Sequence, residues 1–221
     1  MSETPVKTTE KKPAVRRPAT QRFWLYTFLR GLAAFLMKWL VPVRFHHAER
    51  ADIDAPFIII GNHLSMLDPL FLAVPVKRYQ IAFMAKAELS KVSWFKPIAL
   101  AMHTIFVNRH NSDMEAMRTS LRALKSGEVL GIFPEGTRHH EGLMVQQEAG
   151  AAMIALRSGV PMIPVYISRA LCPFRRAECV VGEPIPMDDL REKGINKETC
   201  QELMARITAK YAEMAAEVAT K

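Results

Sequence analysis

Cysteine is scarce in this chain of 221 residues, which contains only Cys172, Cys179 and Cys200 and no CxxC pair. An odd number of cysteines without paired spacing argues against a disulfide framework. No histidine follows at zinc-finger spacing, and we predict no metal site. We expect three free thiols in a reducing compartment.

The chain also lacks a Gly-x-Ser-x-Gly elbow and any recognisable nucleic-acid-binding module. The first absence argues against a serine hydrolase of the α/β-hydrolase type, because that elbow presents the nucleophile. The second matters because the net charge is +8, which would otherwise suit nucleic acid. With 49% hydrophobic residues, the composition is that of a globular protein, and the length is enough for one sizeable domain.

The positive charge is concentrated at the N-terminus. Residues 1–50 hold ten lysines and arginines against three acids, a net +7, whereas the rest hold twenty against nineteen. A basic arm on a neutral domain suits an anionic surface. We expect that surface to be membrane lipid and expect no nucleic-acid partner. Residues 1–21 are polar and basic, and are predicted to form a disordered tail.

Residues 22–43 form the longest apolar stretch, in which residues 23–41 carry only two charges, Arg30 and Lys38. At 100° per residue, the large apolar side chains share one broad face: Trp24, Leu25, Phe28, Leu29, Leu32, Phe35, Leu36 and Trp39. Cations opposite an apolar face with tryptophan predict an amphipathic helix lying in a membrane interface. A helix packed on the core and a true membrane span are the alternatives, although Arg30 would then lie near mid-bilayer.

Residues 44–221 alternate between short apolar runs and helical patterns, with no repeat and no internal boundary. The predicted strands cover residues 57–60, 81–84, 104–107, 129–133, 162–167 and 178–181. The predicted helices cover residues 94–102, 112–125, 148–158 and 196–219. Such alternation predicts a single α/β domain with a largely parallel sheet flanked by helices.

The stretch from Phe57 to Leu70 organises this domain. An apolar strand ends at Gly61, and a helix is predicted to start with Asp68 as its N-cap and Pro69 at its first position. His63 therefore follows the end of a strand, where α/β sheets build sites. His63 is predicted to act as a general base on a substrate hydroxyl, with Asp68 fixing its tautomer. The alternative is a loop histidine beside a capping aspartate.

Two other strand ends carry polar residues. Arg109 follows one, and Glu135, Gly136, Thr137 and Arg138 follow another. These residues suit the binding of phosphate oxygens. Arginine presents a planar set of donors, threonine adds a hydroxyl, and glycine lets the backbone approach a ligand closely. Strand ends of one sheet meet at one edge, so we predict a composite site with His63. Two surface arginines and a turn are the alternative.

The chain resembles the glycerolipid acyltransferases, in particular the 1-acyl-glycerol-3-phosphate acyltransferases. Four ordered blocks carry the resemblance: Asn62 to Asp68 (N-H-x4-D), Ile105 to Arg109, Phe133 to Arg138 (F-P-E-G-T-R) and Val160 to Val165. Four ordered blocks rarely coincide by chance, and they lie within residues 57–167.

The resemblance implies acyl transfer from an acyl thioester, acyl-CoA or acyl carrier protein, to the free hydroxyl of a lysophospholipid. It implies that His63 and Asp68 are catalytic and that Arg109, Glu135, Gly136, Thr137 and Arg138 bind the acceptor. Beyond the thioester co-substrate, no cofactor is expected. The site would lie at the cytoplasmic face of the cell membrane, held there peripherally or monotopically.

Two positions depart from the family pattern. His103 stands where glycine is common before the second block, and Glu148 stands where lysine is common after the third. An acid near a phosphate cradle weakens phosphate binding if it points inward. A different lysolipid, such as an amino-acid-containing one, is therefore an alternative acceptor. A non-catalytic membrane-binding protein with this fold is the non-enzymatic alternative.

Overall fold

The computed structural model describes residues 23–93, 99, 103–107, 114–137, 143–144, 147–170 and 172–220. Within these residues, seven strands form one sheet in the order β1-β7-β6-β2-β5-β3-β4. The strands are β1 (Val43–His46), β2 (Phe57–Gly61), β3 (Ile81–Lys86), β4 (Ile105–Val107), β5 (Val129–Ile132), β6 (Met162–Ile167) and β7 (Ala177–Val181).

The five strands from β6 to β4 in the sheet run parallel, whereas β7 is antiparallel to β6 and β1 follows the direction of β7. The parallel strands end together at Gly61, Lys86, Val107, Ile132 and Ile167, an edge called the carboxyl edge below. The predicted single-domain, largely parallel α/β sheet is confirmed. Strand β2 lies at its centre and is buried on both faces, which is why its sequence is an unbroken apolar run.

Helices cover both faces of the sheet. They are α1 (Phe23–Trp39), α2 (Asp68–Ala73), α3 (Met114–Lys125), α4 (Ala149–Ser158), α5 (Asp188–Glu192) and α6 (Lys197–Ala219), with 3-10 turns at Ala48–Ala51 and Ala87–Lys91. Alternate side chains of β2 pack into two hydrophobic cores, one on each face of the sheet. Ile58 and Ile60 pack with α3, α4 and α6. Phe57 and Ile59 pack with α1 and α2.

The observed boundaries shift from the predicted ones at the N-terminal side of the domain. The helix predicted over residues 22–43 ends at Trp39, and strand β1, which the sequence pattern did not reveal, begins at Val43. Pro42 accounts for the early stop, because proline disfavours helical backbone at the preceding residue. Of the helix predicted over 94–102, all but residue 99 lies outside the described residues.

Helix α1 contacts the domain through a narrow stripe. Tyr26, Ala33 and Met37 are buried, and the Tyr26 hydroxyl accepts a hydrogen bond from the backbone N–H of Ile81 at 3.4 Å. Arg30, expected on the outward polar face, instead donates to the carbonyl of Val76 on the domain at 3.3 Å.

The described residues leave the broad apolar face of α1 largely exposed. Its exposed members are Trp24, Phe28, Leu32, Phe35, Leu36 and Trp39, of which both tryptophans are 69% exposed. Core packing of this face, one of the alternatives, is therefore wrong. None of the helices in the described part of the chain is long and apolar enough to cross a membrane.

Helix α6 is tied to the centre of the sheet by Tyr211. This side chain is fully buried, and its hydroxyl donates to the carbonyl of Ile60 at 2.9 Å, one residue before β2 ends. Burial raises the pKa of Tyr211 well above its usual value, so the hydroxyl stays protonated and remains a donor.

We expect Tyr211→Phe to lower the free energy of unfolding by about 1–2 kcal/mol, because a buried carbonyl loses its donor. Urea denaturation measures the change. Tyr166→Phe is the control, because Tyr166 is half-buried and its hydroxyl makes no hydrogen bond to any described residue. Equal effects of the two substitutions would contradict the role given to the Tyr211 hydroxyl.

Candidate active site

The turn after β2 is shaped by Gly61 and Asn62. A Cβ atom on Gly61 would lie 2.8 Å from a methyl carbon of Leu72, so the strand end sits tightly on α2. Buried Asn62 continues the pairing of β2 with β6 through its side chain. Its amide nitrogen donates to the carbonyl of Ile167 at 2.9 Å, and its oxygen accepts from the Ile167 N–H at 2.7 Å. The backbone is thereby held rigid just before His63.

His63 Nδ1 lies 2.8 Å from Oδ2 of Asp68, whose side chain is completely buried. The same carboxylate accepts hydrogen bonds from the backbone N–H groups of Leu64 and Ser65 and from the Ser65 hydroxyl. Four donors compensate for burial of the charge. Because an ionised carboxylate only accepts, we assign the proton of the imidazole to Nδ1, which leaves Nε2 unprotonated.

Asp68 was predicted as the N-cap of α2, and this is wrong by one residue. Helix α2 begins at Asp68 itself, with Leu67 at the N-cap position and Pro69 second. The carboxylate is turned back toward the amides of the preceding loop, so it closes that loop around His63 and caps no helical N–H.

The plane of the imidazole is set by Phe133. The two rings stack with centroids 4.4 Å apart and an interplanar angle of 25°, and Phe133 in turn stacks on Phe83. The side chain of His63 is 19% exposed, and no described residue forms a hydrogen bond with Nε2. As far as the described residues are concerned, that nitrogen therefore remains available to a reacting hydroxyl.

Glu135 is buried, and both of its oxygens are engaged by backbone amides. Oε2 accepts from the N–H of His63 at 2.7 Å, and Oε1 accepts from the N–H of Met144 at 3.0 Å. The carboxylate thus joins the loops after β2 and β5. We infer that Glu135 positions His63 through its backbone, whereas the acceptor-binding role implied by the resemblance stays a prediction.

Gly136 and Thr137 complete the turn after β5. Gly136 has φ 66°, in the left-handed region that favours glycine, and its N–H donates to the carbonyl of Phe133 at 3.0 Å. Thr137 is exposed at the edge of a cavity of about 580 Å³. The described residues lining that cavity are Glu135, Thr137, Met144, Gln147, Glu148, Met204, Ala205 and Thr208.

Arg109 and Arg138 lie outside the described residues, so their roles stay predictions. The unusual His103 is described and has φ 50°, which is why glycine suits this position. Its Nδ1 lies 2.7 Å from Glu128, and this hydrogen bond raises the pKa of His103. Burial raises the pKa of Cys179, so that thiol is not prepared for nucleophilic attack.

This chain is similar in sequence and fold to known proteins. A family model described as Acyltransferase matches residues 42–168, more than half of the chain, including His63, Asp68 and the loop after β5. The chain belongs to the acyltransferase family. It is accordingly an O-acyltransferase, which removes the non-enzymatic alternative.

The relatives of this acyltransferase include enzymes from two bacteria. It is 28% identical to the 1-acyl-sn-glycerol-3-phosphate acyltransferase of Bacillus subtilis over 170 residues, 75% of this chain and 84% of that one. The enzyme of the same name from Streptococcus pneumoniae is 28% identical over 195 residues, 84% of this chain and 71% of that one.

One similar solved structure is the 1-acyl-sn-glycerophosphate (LPA) acyltransferase PlsC from Thermotoga maritima. The acyltransferase described above superposes on it with a TM-score of 0.68 at 25% identity, covering 88% of this chain and 81% of that one. The α/β sheet with flanking helices is therefore shared between them.

Three contributors to the acyltransferase site were missed by sequence reasoning as individual residues: Asn62, Ser65 and Phe133. All three lie in the blocks that carried the resemblance, so position within those blocks was the available signal. Their functions depend on contacts with β6, Asp68 and His63, which no spacing in the sequence specifies.

We expect Glu135→Ala to lower kcat by roughly tenfold to a hundredfold with little change in acceptor KM, because displacing a catalytic group by about 1 Å costs about that much. The kcat of Glu135→Gln should lie between those of the unaltered enzyme and Glu135→Ala, since the glutamine amide keeps one accepting oxygen. Steady-state kinetics with varied acceptor measures both constants.

Glu128→Gln provides the control for removing a carboxylate, because Glu128 precedes the same strand at its opposite end. It should leave both constants unchanged. A raised acceptor KM with unchanged kcat in Glu135→Ala would instead make Glu135 a substrate ligand.

Proposed function

We propose that this enzyme transfers a fatty acyl group from an acyl thioester to the free hydroxyl of 1-acylglycerol-3-phosphate, giving phosphatidic acid. The observation that carries the proposal is the pairing of His63 with buried Asp68, which leaves Nε2 free to accept a proton. No protein nucleophile is required, because the acceptor brings its own hydroxyl. The names of the relatives support the choice of acceptor.

The reaction balances without a further reagent. As the acceptor oxygen bonds to the thioester carbonyl carbon, its proton passes to Nε2 of His63, and the Asp68 carboxylate stabilises the resulting imidazolium. The tetrahedral intermediate then collapses, the C–S bond breaks, and the imidazolium returns the proton to the departing thiolate. An ester and a free thiol are formed. Acyl-CoA and acyl carrier protein both supply such a thioester.

The phosphate of the acceptor is proposed to lie at the turn after β5. Gly136 allows close approach of the backbone, and Thr137 is exposed beside it. Arg109 and Arg138 follow strands that end at this same edge and would supply the cationic donors. A phosphate held there would place the glycerol hydroxyl toward the neighbouring loop, which carries His63.

The membrane is the proposed environment, because both the acceptor and the product carry long acyl chains. The uncovered apolar face of α1, with two exposed tryptophans, suits insertion into a bilayer surface on the cytoplasmic side. Lys38 lies 5.4 Å from the ring centroid of Trp39 and is exposed, so it can reach anionic head groups. The enzyme would then be bound peripherally or monotopically.

We expect His63→Ala to reduce turnover by about a hundredfold or more while preserving the fold, as is usual for the loss of a general base. Asp68→Asn should also be severely impaired, because the amide cannot stabilise an imidazolium. A labelled acyl thioester and 1-acylglycerol-3-phosphate provide the assay, with circular dichroism as the folding control. Near-normal turnover of His63→Ala would refute the proposed chemistry.

Glu148 favours a second candidate, an acceptor whose head group carries a positive charge. Its side chain was expected either to start a helix or to face the site. It occupies the N-cap position of α4 but makes no capping hydrogen bond. Instead, its carboxylate oxygen lies 3.1 Å from where a Cβ of Gly136 would be, against the turn proposed for the phosphate.

We expect Glu148→Lys to raise kcat/KM for 1-acylglycerol-3-phosphate relative to zwitterionic or amino-acid-containing lysolipids, because it replaces an anion by a cation near the phosphate. Glu148→Gln should give a smaller shift in the same direction. A panel of lysolipids with one thioester donor measures the preference. An unchanged preference in both variants would leave Glu148 without a role in acceptor choice.

A further inference from the structure

In the connection between β6 and β7, the described residues 168–170 and 172–176 form a hairpin with an aromatic tip. An isolated bridge pairs Cys172 with Arg175 and closes the hairpin around Pro173 and Phe174. Phe174 is 84% exposed, more than either exposed tryptophan of α1. Its φ is 60°, a backbone conformation that bulky residues rarely adopt. The fold thus holds a large apolar side chain in water, which is unfavourable unless something covers it.

Basic residues surround this tip. Arg169, Arg175 and Arg176 are all exposed, and residues 168–176 contain no acid. The nearest acid in sequence, Glu178, is already engaged by His46, with 2.7 Å between its oxygen and Nε2. An exposed aromatic ring flanked in sequence by exposed arginines matches the interface of an anionic bilayer, where the ring enters and the cations remain at the head groups.

The hairpin lies at the carboxyl edge of the sheet, as does the catalytic pair. It leaves the sheet after Ile167, and Ile167 is the residue whose backbone is bonded by Asn62, the neighbour of His63. The hairpin and the catalytic loop therefore start from adjacent points.

The hairpin also touches the end of α1. The N–H of Phe174 donates to the carbonyl of Leu40 at 3.2 Å, one residue after α1 ends. Leu40 and Trp39 are exposed. The apolar face of α1 is therefore continuous with the tip, and both lie at the edge where the site opens.

We propose that the hairpin tip formed by Phe174, Arg169, Arg175 and Arg176 is a second membrane contact that binds anionic lipid head groups. The proposal rests on the proposed function, which already assigns α1 to the membrane surface. One helix lying in an interface leaves the protein free to tilt about the helix axis. A second contact, on the hairpin, fixes that tilt and keeps the carboxyl edge against the bilayer, where a lysolipid can reach His63.

Vesicle flotation tests the contact directly. We expect Arg175→Gln/Arg176→Gln to bind vesicles containing phosphatidylglycerol about 25-fold more weakly, since each of the two arginines contributes roughly fivefold near such a surface. Phe174→Ala should bind about tenfold more weakly through loss of buried apolar area. Phe174→Trp should bind these vesicles as well as the unaltered protein does, because tryptophan also supplies a large aromatic ring. Phe28→Ser/Phe35→Ser, on the exposed face of α1, provides the positive control.

Matched controls come from the rest of the surface. Arg122 and Lys125 lie in the last turn of α3, just before β5 starts and hence at the opposite edge of the sheet. Ile195 is an exposed aliphatic residue before α6. Arg122→Gln/Lys125→Gln and Ile195→Ala should bind as the unaltered protein does. Unchanged binding in both hairpin variants would overturn the proposal.

Activity separates this proposal from the proposed function. The hairpin variants should lose turnover on a long-chain acceptor embedded in vesicles and retain it on a short-chain monomeric acceptor. If the unaltered enzyme acylates neither acceptor, the proposed function fails. If it acylates both and the hairpin variants do so equally well, only the hairpin contact fails.

A fluorescent probe provides a readout independent of activity. Phe174→Cys, in a Cys172→Ser background, can be labelled with an environment-sensitive dye, because Cys179 and Cys200 are buried. Vesicles containing phosphatidylglycerol should shift its emission as insertion predicts, and the same dye at Ile195→Cys should not respond. An unshifted probe at the tip would overturn the proposal, as would a response to oligonucleotides in place of vesicles.

Discussion

A buried negative charge, that of Asp68, is the constraint on which the loop carrying His63 depends. A carboxylate removed from water must be compensated, and here the imidazole of His63, two backbone amides and the hydroxyl of Ser65 all donate to it. The loop cannot open without leaving that charge unpaired. The interaction that determines the tautomer of His63 therefore also determines the shape of the loop that carries it.

Glu135 extends the same principle across the sheet. It is a second buried carboxylate, and its two oxygens accept hydrogen bonds from backbone N–H groups of separate segments, at His63 and Met144. The backbone N–H of His63 is thus bonded to Glu135, which follows β5, while its imidazole is bonded to Asp68 at the start of α2. Phe133 adds a stacked ring, so the imidazole is restrained in position, tautomer and plane by different interactions.

These restraints fix the position of His63 at the carboxyl edge, and exposed apolar surfaces lie beside it. Helix α1 packs on the domain through a narrow stripe that includes Tyr26 and Met37, and most of its wide apolar face is exposed among the described residues. Strand β1 runs opposite to β6, so α1 ends at the same edge as the site. Antiparallel β7 in turn brings the hairpin beside that end. The two reversed strands therefore put the exposed apolar side chains at the same edge as the loop that carries His63.

The sequence by itself determined what depends on neighbours along the chain. Unbroken apolar runs predicted β2 and β6, alternation with helices predicted a parallel sheet, and the four-residue spacer between His63 and Asp68 predicted their contact. Ordered blocks predicted the family. Tertiary structure alone decided the hydrogen bond from His63 to Glu135, 72 residues away. It also turned Asp68 away from capping α2 and pointed Arg30 inward. Periodicity shows which side chains share a face, but the partner of that face is chosen by packing between segments distant in sequence.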